Sequence, residues 1–308
     1  MSWSLGDIPS LGGTTALVTG ANSGLGKIVA RELGAAGAHV VLACRSPERG
    51  ALALDELSVS EPAGSFELLE LDLGSLDSVA RAASAFVGSH ERLDLLVNNA
   101  GVMIPPYRLT EDGFELQFGT NHLGHFALTA RLSDALYRAP EPRVVNVSST
   151  AHRSGRIDFQ DIQSERSYSR WGAYGQSKLA NLLFTYELQR RATDAGWNLV
   201  ALAAHPGYSA TNLQFAGIGL EENPVMATLN RLGNAALAQS AEAGALPLLY
   251  AAVSPDAPPG AFVGPDGPFE MRGSPTLVEP TAAARDEIAA CRLWELSEEL
   301  TGIGFLDG

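Results

Sequence analysis

The sequence predicts an α/β protein built on one doubly wound parallel sheet of about seven strands, flanked by helices. Three observations carry that expectation. Short apolar, β-branched runs alternate with longer stretches of helical periodicity along most of the chain. The first of these runs breaks into a glycine-rich turn that opens straight into a helical pattern. No repeat, linker or shift in composition divides residues 1–308, so a single domain is expected.

Residues 14–19 (TTALVT) read as a buried strand and residues 27–36 (KIVARELGAA) as a helix with an inward apolar side. Between them Gly20, Gly24 and Gly26 fall in a GxxxGxG spacing. Glycines let backbone approach a ligand closely. The first turn of a helix adds unpaired N–H groups and a positive dipole end, so the turn suits a pyrophosphate. Turns of this composition also occur in α/β proteins without a nucleotide.

Residues 38–44 (AHVVLAC) form a second strand that ends at Arg45. In Rossmann-type sheets the side chain at this tip meets the adenosine ribose, where a carboxylate binds the 2′-OH and an arginine favours a 2′-phosphate. Arg45 therefore favours NADP(H), with NAD(H) as the alternative if the arginine only caps a solvated strand end. The nearest acid, Glu48, already belongs to a helical pattern that starts after Ser46 and Pro47. A third strand over residues 65–71 leads to Asp72 and Leu73, a carboxylate for the adenine amino group and an apolar neighbour for its ring. Asp72 could instead cap the helix at residues 75–89, although Ser75 suffices for that.

A fourth strand lies within residues 93–101 (LDLLVNNAG), where Asn98, Asn99, Ala100 and Gly101 let the chain pass close to a ribose at one wall of the switch-point crevice. A helix over about residues 120–138 follows. Its His122 and His125 lack a third ligand at suitable spacing, so no metal is expected. The fifth strand, residues 143–148, delivers Ser148 and Ser149 to the carboxyl edge, and a polar surface insertion runs on to Arg170.

Residues 171–192 are helical, with Tyr174 and Lys178 four apart on one face. A free tyrosine titrates near ~10, and bringing it toward ~7 takes about 4 kcal/mol of preferential stabilisation of the phenolate. A neighbouring ammonium held at a nicotinamide ribose supplies much of that, making the phenol a proton donor or acceptor while hydride moves. Taken alone, a tyrosine and lysine at this spacing also describe an ordinary helix-surface pair. A sixth strand from residue 198 ends at His205, Pro206 and Gly207, with Thr211 beyond. Residues 208–235, punctuated by Gly217, Gly219 and Pro224, are placed to form a substrate lid. Then come a helix over residues 239–253 interrupted by Pro247, a last short strand at residues 260–265 and a final helix over residues 281–300 with Leu293, Leu296 and Leu300 inward.

Composition bounds the function. The net charge of −14 repels phosphate polymers and anionic lipid, arguing against nucleic acid or a membrane surface as partner. Apolar stretches are too short to span a bilayer, and the start MSWSLGDIPS lacks the basic and apolar regions of a signal peptide. Cys44 and Cys291 are too few for a disulfide framework. A cytoplasmic protein acting on a small molecule is expected, with a symmetric dimer through helices 120–138 and 171–192 compatible with the pattern.

Together these motifs resemble the short-chain dehydrogenase/reductase superfamily over nearly the whole chain. TGANSGLG looks like its cofactor turn, placing Asn22, Ser23 and Leu25 with the three glycines; Asp72–Leu73 and NNAG look like its adenine and fourth-strand motifs. Pro206, Gly207 and Thr211 complete the cofactor contacts that the resemblance implies. Asn121, Ser149, Tyr174 and Lys178 match its catalytic tetrad, with Ser149 chosen over Ser148 because the family's serine is usually the second of such a pair. The resemblance implies that Tyr174 is the acid/base, that Ser149 orients the substrate carbonyl, that Lys178 holds the ribose and lowers the tyrosine pKa, and that Asn121 anchors a relay water. ACRS, TNHLGHF, NVSSTAH, YGQSKLAN and LWELSEELTG are most similar to the retinol dehydrogenase and protochlorophyllide reductase-like branch. The implied function is an NADP(H)-dependent carbonyl–alcohol oxidoreductase on a fairly apolar substrate. Carbon–carbon double-bond reduction and non-catalytic dinucleotide sensing are the alternatives.

Overall fold

The apolar runs become strands of one sheet, because a parallel strand covered by helices on both faces must be apolar on both. The computed structural model describes residues 3–59, 62–208 and 239–306. Eight strands stand in the order β3-β2-β1-β4-β5-β6-β7-β8: β1 (Thr15–Thr19), β2 (His39–Cys44), β3 (Ser65–Glu70), β4 (Leu95–Asn98), β5 (Arg143–Val147), β6 (Val200–Ala204), β7 (Phe262–Pro265) and β8 (Pro275–Leu277). The first seven are parallel, as expected; β8 adds an antiparallel edge that the sequence pattern did not announce. Strand order reverses between β1 and β4, opening the crevice at their carboxyl ends.

Adjacent residues feed opposite faces. Val18, Val40 and Leu42 pack with Val29 and Leu33 of α1 (Gly24–Ala35) on one side. Leu17 and Val41 pack with Val79 and Phe86 of α3 (Leu76–Ser89) on the other. Between these, α2 (Pro47–Ser58) begins at Ser46, whose Oγ accepts the Arg49 N–H at 3.3 Å with Pro47 in the first turn. Ser75 caps α3 in the same way, accepting from the Ser78 N–H at 3.4 Å, so Asp72 is not needed there.

The expected helix over residues 120–138 is broken up. A turn at Leu116–Phe118 runs into a π-helical segment, Gly119–Leu123, then α4 (Gly124–Arg131) and a short helix at Ser133–Tyr137. The expected 171–192 helix is α5 (Arg170–Asp194), and Pro247 sits inside an unbroken α6 (Ala241–Val253). The final helix is a 3₁₀ turn at Ala282–Arg285 followed by α7 (Glu287–Thr301). Its inward face is Leu293, Trp294 and Ser297; Leu296 and Leu300 are only half-buried. Thr211 and the proposed lid, apart from Tyr208, lie outside the described residues. Among the described residues no helix is long and apolar enough to cross a membrane.

Candidate active site

At the end of β1 the chain turns through Gly20 (φ 69) and Gly24 (φ 56), both in the left-handed region that favours glycine. Gly26 is required for a different reason, since a Cβ there would lie 2.5 Å from Asn99 Nδ2 and 2.6 Å from the Gly20 carbonyl oxygen. Helix α1 therefore starts at Gly24, three residues before the apolar periodicity begins, with Ser23 as an N-cap that makes no side-chain capping bond. The N–H groups at this helix start face the crevice side uncapped by a side chain, with Asn22, Ser23 and Leu25 part-buried around them. This cradle fits the phosphates of a dinucleotide.

Arg45 follows directly on β2, beside the glycine turn, where the Gly20 N–H donates to the Ala43 carbonyl at 2.8 Å. The arginine is exposed, and among the described residues it makes no ion pair. Glu48 instead takes the Ser46 hydroxyl at 2.7 Å, a bond that lowers its pKa. Asp72 Oδ1 accepts the Gly74 N–H at 2.9 Å, a local turn that leaves the part-buried carboxylate its second oxygen. Leu73 is buried against Gly124 of α4.

Thr19, the residue before the glycines, ties the two walls of the crevice together. Its Oγ1 accepts the Asn99 and Ala100 N–H groups, both at 2.9 Å, while Asn99 Nδ2 donates to the Thr19 carbonyl at 2.8 Å. The same Oγ1 lies 2.9 Å from His125 Nε2, and His125 Nδ1 lies 3.0 Å from the Asn121 carbonyl oxygen. A carbonyl only accepts, so Nδ1 carries the proton and Nε2 accepts the threonine hydroxyl. Burial holds the His125 pKa down to about 4, which keeps this neutral tautomer in place. His125, weighed from sequence only as a metal ligand, is a bridge between β1 and the π-helical turn.

Asn121 sits in that turn, fully buried. Its side chain accepts the Val102 N–H at 2.7 Å and donates to the Val102 carbonyl and to Ser177 Oγ, both at 2.9 Å. Gly101 lies against it: an added Cβ would be 3.0 Å from Asn121 Oδ1 and 3.7 Å from Lys178 Nζ. Lys178 is 3% exposed and donates to the Val147 carbonyl at 3.0 Å, an oxygen that Asn181 Nδ2 also reaches at 3.1 Å. The ammonium lies 5.7 Å from the centre of the Tyr174 ring.

The adjacent serines separate. Ser148 is buried and its hydroxyl donates to the Lys178 carbonyl at 2.8 Å. Ser149 is part-exposed, caps the 3₁₀ turn Thr150–Ser154, and lies within hydrogen-bonding reach of the Tyr174 phenol, whose pKa it lowers. Burial outweighs that bond, so the phenol is pushed up to about 12, while burial brings the Lys178 ammonium down to about 8. The acidic phenol expected from the sequence is thus not a property of the protein groups taken alone; desolvation wins over the hydrogen bond from Ser149.

Beyond Ser149 lies a polar group that sequence reasoning missed. His152 Nδ1 bonds the Ser149 carbonyl at 2.7 Å, and Glu270 joins His205 Nε2 at 3.0 Å and Arg153 at 2.6 Å. Gly207 (φ 63) follows Pro206 at the same edge, where a Cβ would meet the Met271 carbonyl oxygen at 2.5 Å. The structure therefore brings Ser149 and Lys178 to Tyr174 and sets Lys178 and Asn121 against Gly101, while Asn99 and Ala100 pack against the glycine turn.

A family model described as short chain dehydrogenase matches residues 14–216. Human retinol dehydrogenase 12 is 40% identical over 293 residues, covering 95% of this chain and 88% of that protein. Human retinol dehydrogenase 13 is 40% identical over 292 residues, covering 94% and 85%. Among solved structures, an uncharacterised protein from Mycobacterium paratuberculosis superposes with a TM-score of 0.82 at 46% identity, covering 99% of both chains. The Pseudomonas aeruginosa RhlG/NADP active-site complex gives a TM-score of 0.66 at 26% identity, covering 85% of this chain and 98% of that one.

Proposed function

The chain belongs to the short-chain dehydrogenase family and is an oxidoreductase of that family, and from this premise we propose that it interconverts a carbonyl and an alcohol on a small, fairly apolar molecule with NADP(H). The observation that carries the reading is the meeting of Ser149, Tyr174 and Lys178 at the carboxyl edge, opposite a glycine cradle that a single Cβ would fill. A nicotinamide dinucleotide held by the Gly20–Gly26 turn, with its ribose at Lys178, would supply or accept the hydride.

In the reducing direction the Ser149 hydroxyl donates to the substrate carbonyl and holds it beside Tyr174. The Tyr174 O–H delivers the proton to the oxygen as it becomes an alcohol, and Lys178 stabilises the phenolate left behind. Lys178 is held for this by the Val147 carbonyl, and Asn121 fixes Gly101 and Val102 at the wall. Oxidation runs the same proton path in reverse. Arg45, exposed beside the glycine turn, supports a 2′-phosphate, as does the NADP named in a solved relative. An apolar substrate is supported by the names of the retinol dehydrogenase relatives and by exposed Trp171, whose ring lies 6.4 Å from that of Tyr174.

The test is turnover of a panel of aldehydes, ketones and alcohols, followed by nicotinamide absorbance with the products identified. Tyr174→Phe is expected to lose at least about a hundredfold in kcat while binding NADPH like wild type. Unchanged turnover in that variant removes the acid/base assignment, and a saturated carbon–carbon product in place of an alcohol replaces carbonyl reduction.

A further inference from the structure

At the amino-terminal edge of the sheet, about 20 Å along β2 from Arg45, two imidazoles and a carboxylate converge. His39 opens β2, Glu67 lies on β3, and His90 ends α3. His39 pairs with Ser65 in the parallel ladder and Val41 with Glu67, so His39, Ser65 and Glu67 share the face that α3 covers. His39 Nε2 lies 3.2 Å from His90 Nε2, and Glu67 Oε2 lies 3.4 and 3.5 Å from the two nitrogens. Nothing in the proposed reaction uses these groups.

We propose that His39, Glu67 and His90 form a binding site for a divalent transition-metal ion of zinc type, tying the edge strand β3 to β2 and to the end of α3. Three lines of geometry meet here. Ligand atoms about 2.1 Å from a tetrahedral centre stand about 3.4 Å from one another, so the triangle already has the edge lengths of three corners of a zinc tetrahedron. The outer nitrogens are oriented as well. His90 Nδ1 faces the Phe86 carbonyl at 3.2 Å, which forces the proton onto Nδ1 and leaves Nε2 a lone pair. His39 Nδ1 lies 2.7 Å from Ser65 Oγ, which can accept its proton and leave that Nε2 unprotonated too.

The rings are also fixed before any ion arrives. Phe86 stacks on His90 with centroids 4.4 Å apart, and His90 on His39 at 5.3 Å. Side-chain exposure is 12% for His90, 32% for His39 and 43% for Glu67, so the fourth corner opens toward solvent, where a water completes the shell. Two nitrogens and one carboxylate oxygen suit zinc, and the net charge of −14 favours a cation at the surface. Without a metal, the same contacts describe a His39 N–H donating to His90 with Glu67 alongside.

The experiment separates the two. Chelator-stripped full-length protein is titrated with Zn²⁺ against a chromophoric competitor, and with Co²⁺ while the visible absorption is recorded. The proposal expects one ion per chain, a Kd at or below about 10 μM, a tetrahedral Co²⁺ band, and a melting temperature that rises by several degrees with Zn²⁺. Glu67→Gln and His90→Gln, each verified as folded by circular dichroism, are expected to weaken binding by about tenfold or more and to abolish the thermal shift. Tyr174→Phe is expected to keep both. Absence of Zn²⁺ binding up to about 100 μM, or equal affinity in wild type and the two variants, overturns the site; Glu67→Gln, altering a part-exposed side chain, serves should His90→Gln not fold.

Discussion

Lys178 Nζ lies 5.7 Å from the centre of the Tyr174 ring yet donates its hydrogen bond to the Val147 carbonyl, 3.0 Å away. The lysine is therefore held by the sheet rather than by the tyrosine. Its ammonium is the labile charge of the pair, titrating at about 8, whereas the phenol stays protonated to about 12. The reductive kcat/KM for NADPH, which reports the ionisations of the enzyme before the cofactor binds, is expected to be flat below about pH 8 and to fall above it, since the positive charge is lost as pH rises. A profile that keeps rising to pH 10 contradicts the role given to Lys178.

The same burial makes Lys178 costly to the fold. Its folded pKa is depressed from 10.5 to about 8, so the unfolded chain binds more protons between those values and stability rises with pH there. Lys178→Met is expected to be inactive but more stable than wild type at pH 7, by an amount on the order of 1 kcal/mol after the Val147 bond is lost. That advantage should vanish above about pH 10.5, as read by urea melts at the two pH values.

Ser148 and Ser149 should respond differently to alanine. Ser148→Ala removes the bond to the Lys178 carbonyl and is expected to cost about 1 kcal/mol of stability with kcat within a few-fold of wild type. Ser149→Ala removes the hydroxyl beside Tyr174 and is expected to lower kcat by about a hundredfold. The reverse pattern would reassign the substrate-orienting hydroxyl to Ser148.

His125 joins Asn121 to Thr19 in its neutral form. The folded pKa of about 4 lies below the ordinary imidazole value of 6.5, so the stability this histidine contributes is full above pH 6.5 and is lost as pH falls toward 4. His125→Phe leaves a buried carbonyl and hydroxyl without this partner, an expected loss of roughly 1–3 kcal/mol at pH 7. Its denaturation midpoint should also fall less steeply between pH 6.5 and 4 than that of wild type. Equal slopes would show that the bridge does not carry this proton linkage.

Arg45 decides the cofactor in the proposed reading. Arg45→Asp is expected to lower the NADPH-to-NADH ratio of kcat/KM by about tenfold or more, the carboxylate repelling a 2′-phosphate and accepting from a 2′-OH. Wild type preferring NADH would end the NADP assignment.

Much of this protein was legible before folding. Seven strands were visible because parallel strands buried on both faces are continuous apolar runs, and Tyr174 with Lys178 was visible because four residues return a helix to the same face. Strand β8 was not: three residues at an antiparallel edge, only Pro275 of them buried, leave no periodic trace. Nor was the π-helical interruption at Gly119–Leu123, where packing around Asn121 overrides a pattern that reads as regular helix.

The chain alone determined the layers, the glycine turn and the class of chemistry, since each rests on neighbours within a turn or a strand. Only tertiary structure set Ser148 against the Lys178 carbonyl and Ser149 beside Tyr174, put His125 against Thr19 across 106 positions, and brought ligand atoms of His39, Glu67 and His90 within 3.5 Å of one another. Those choices depend on which side chains meet across separate elements, and local spacing carries no record of them. Burial then set the charges, raising Tyr174 and lowering Lys178 and His125, because the cost of removing an ion from water is a property of the packed interior.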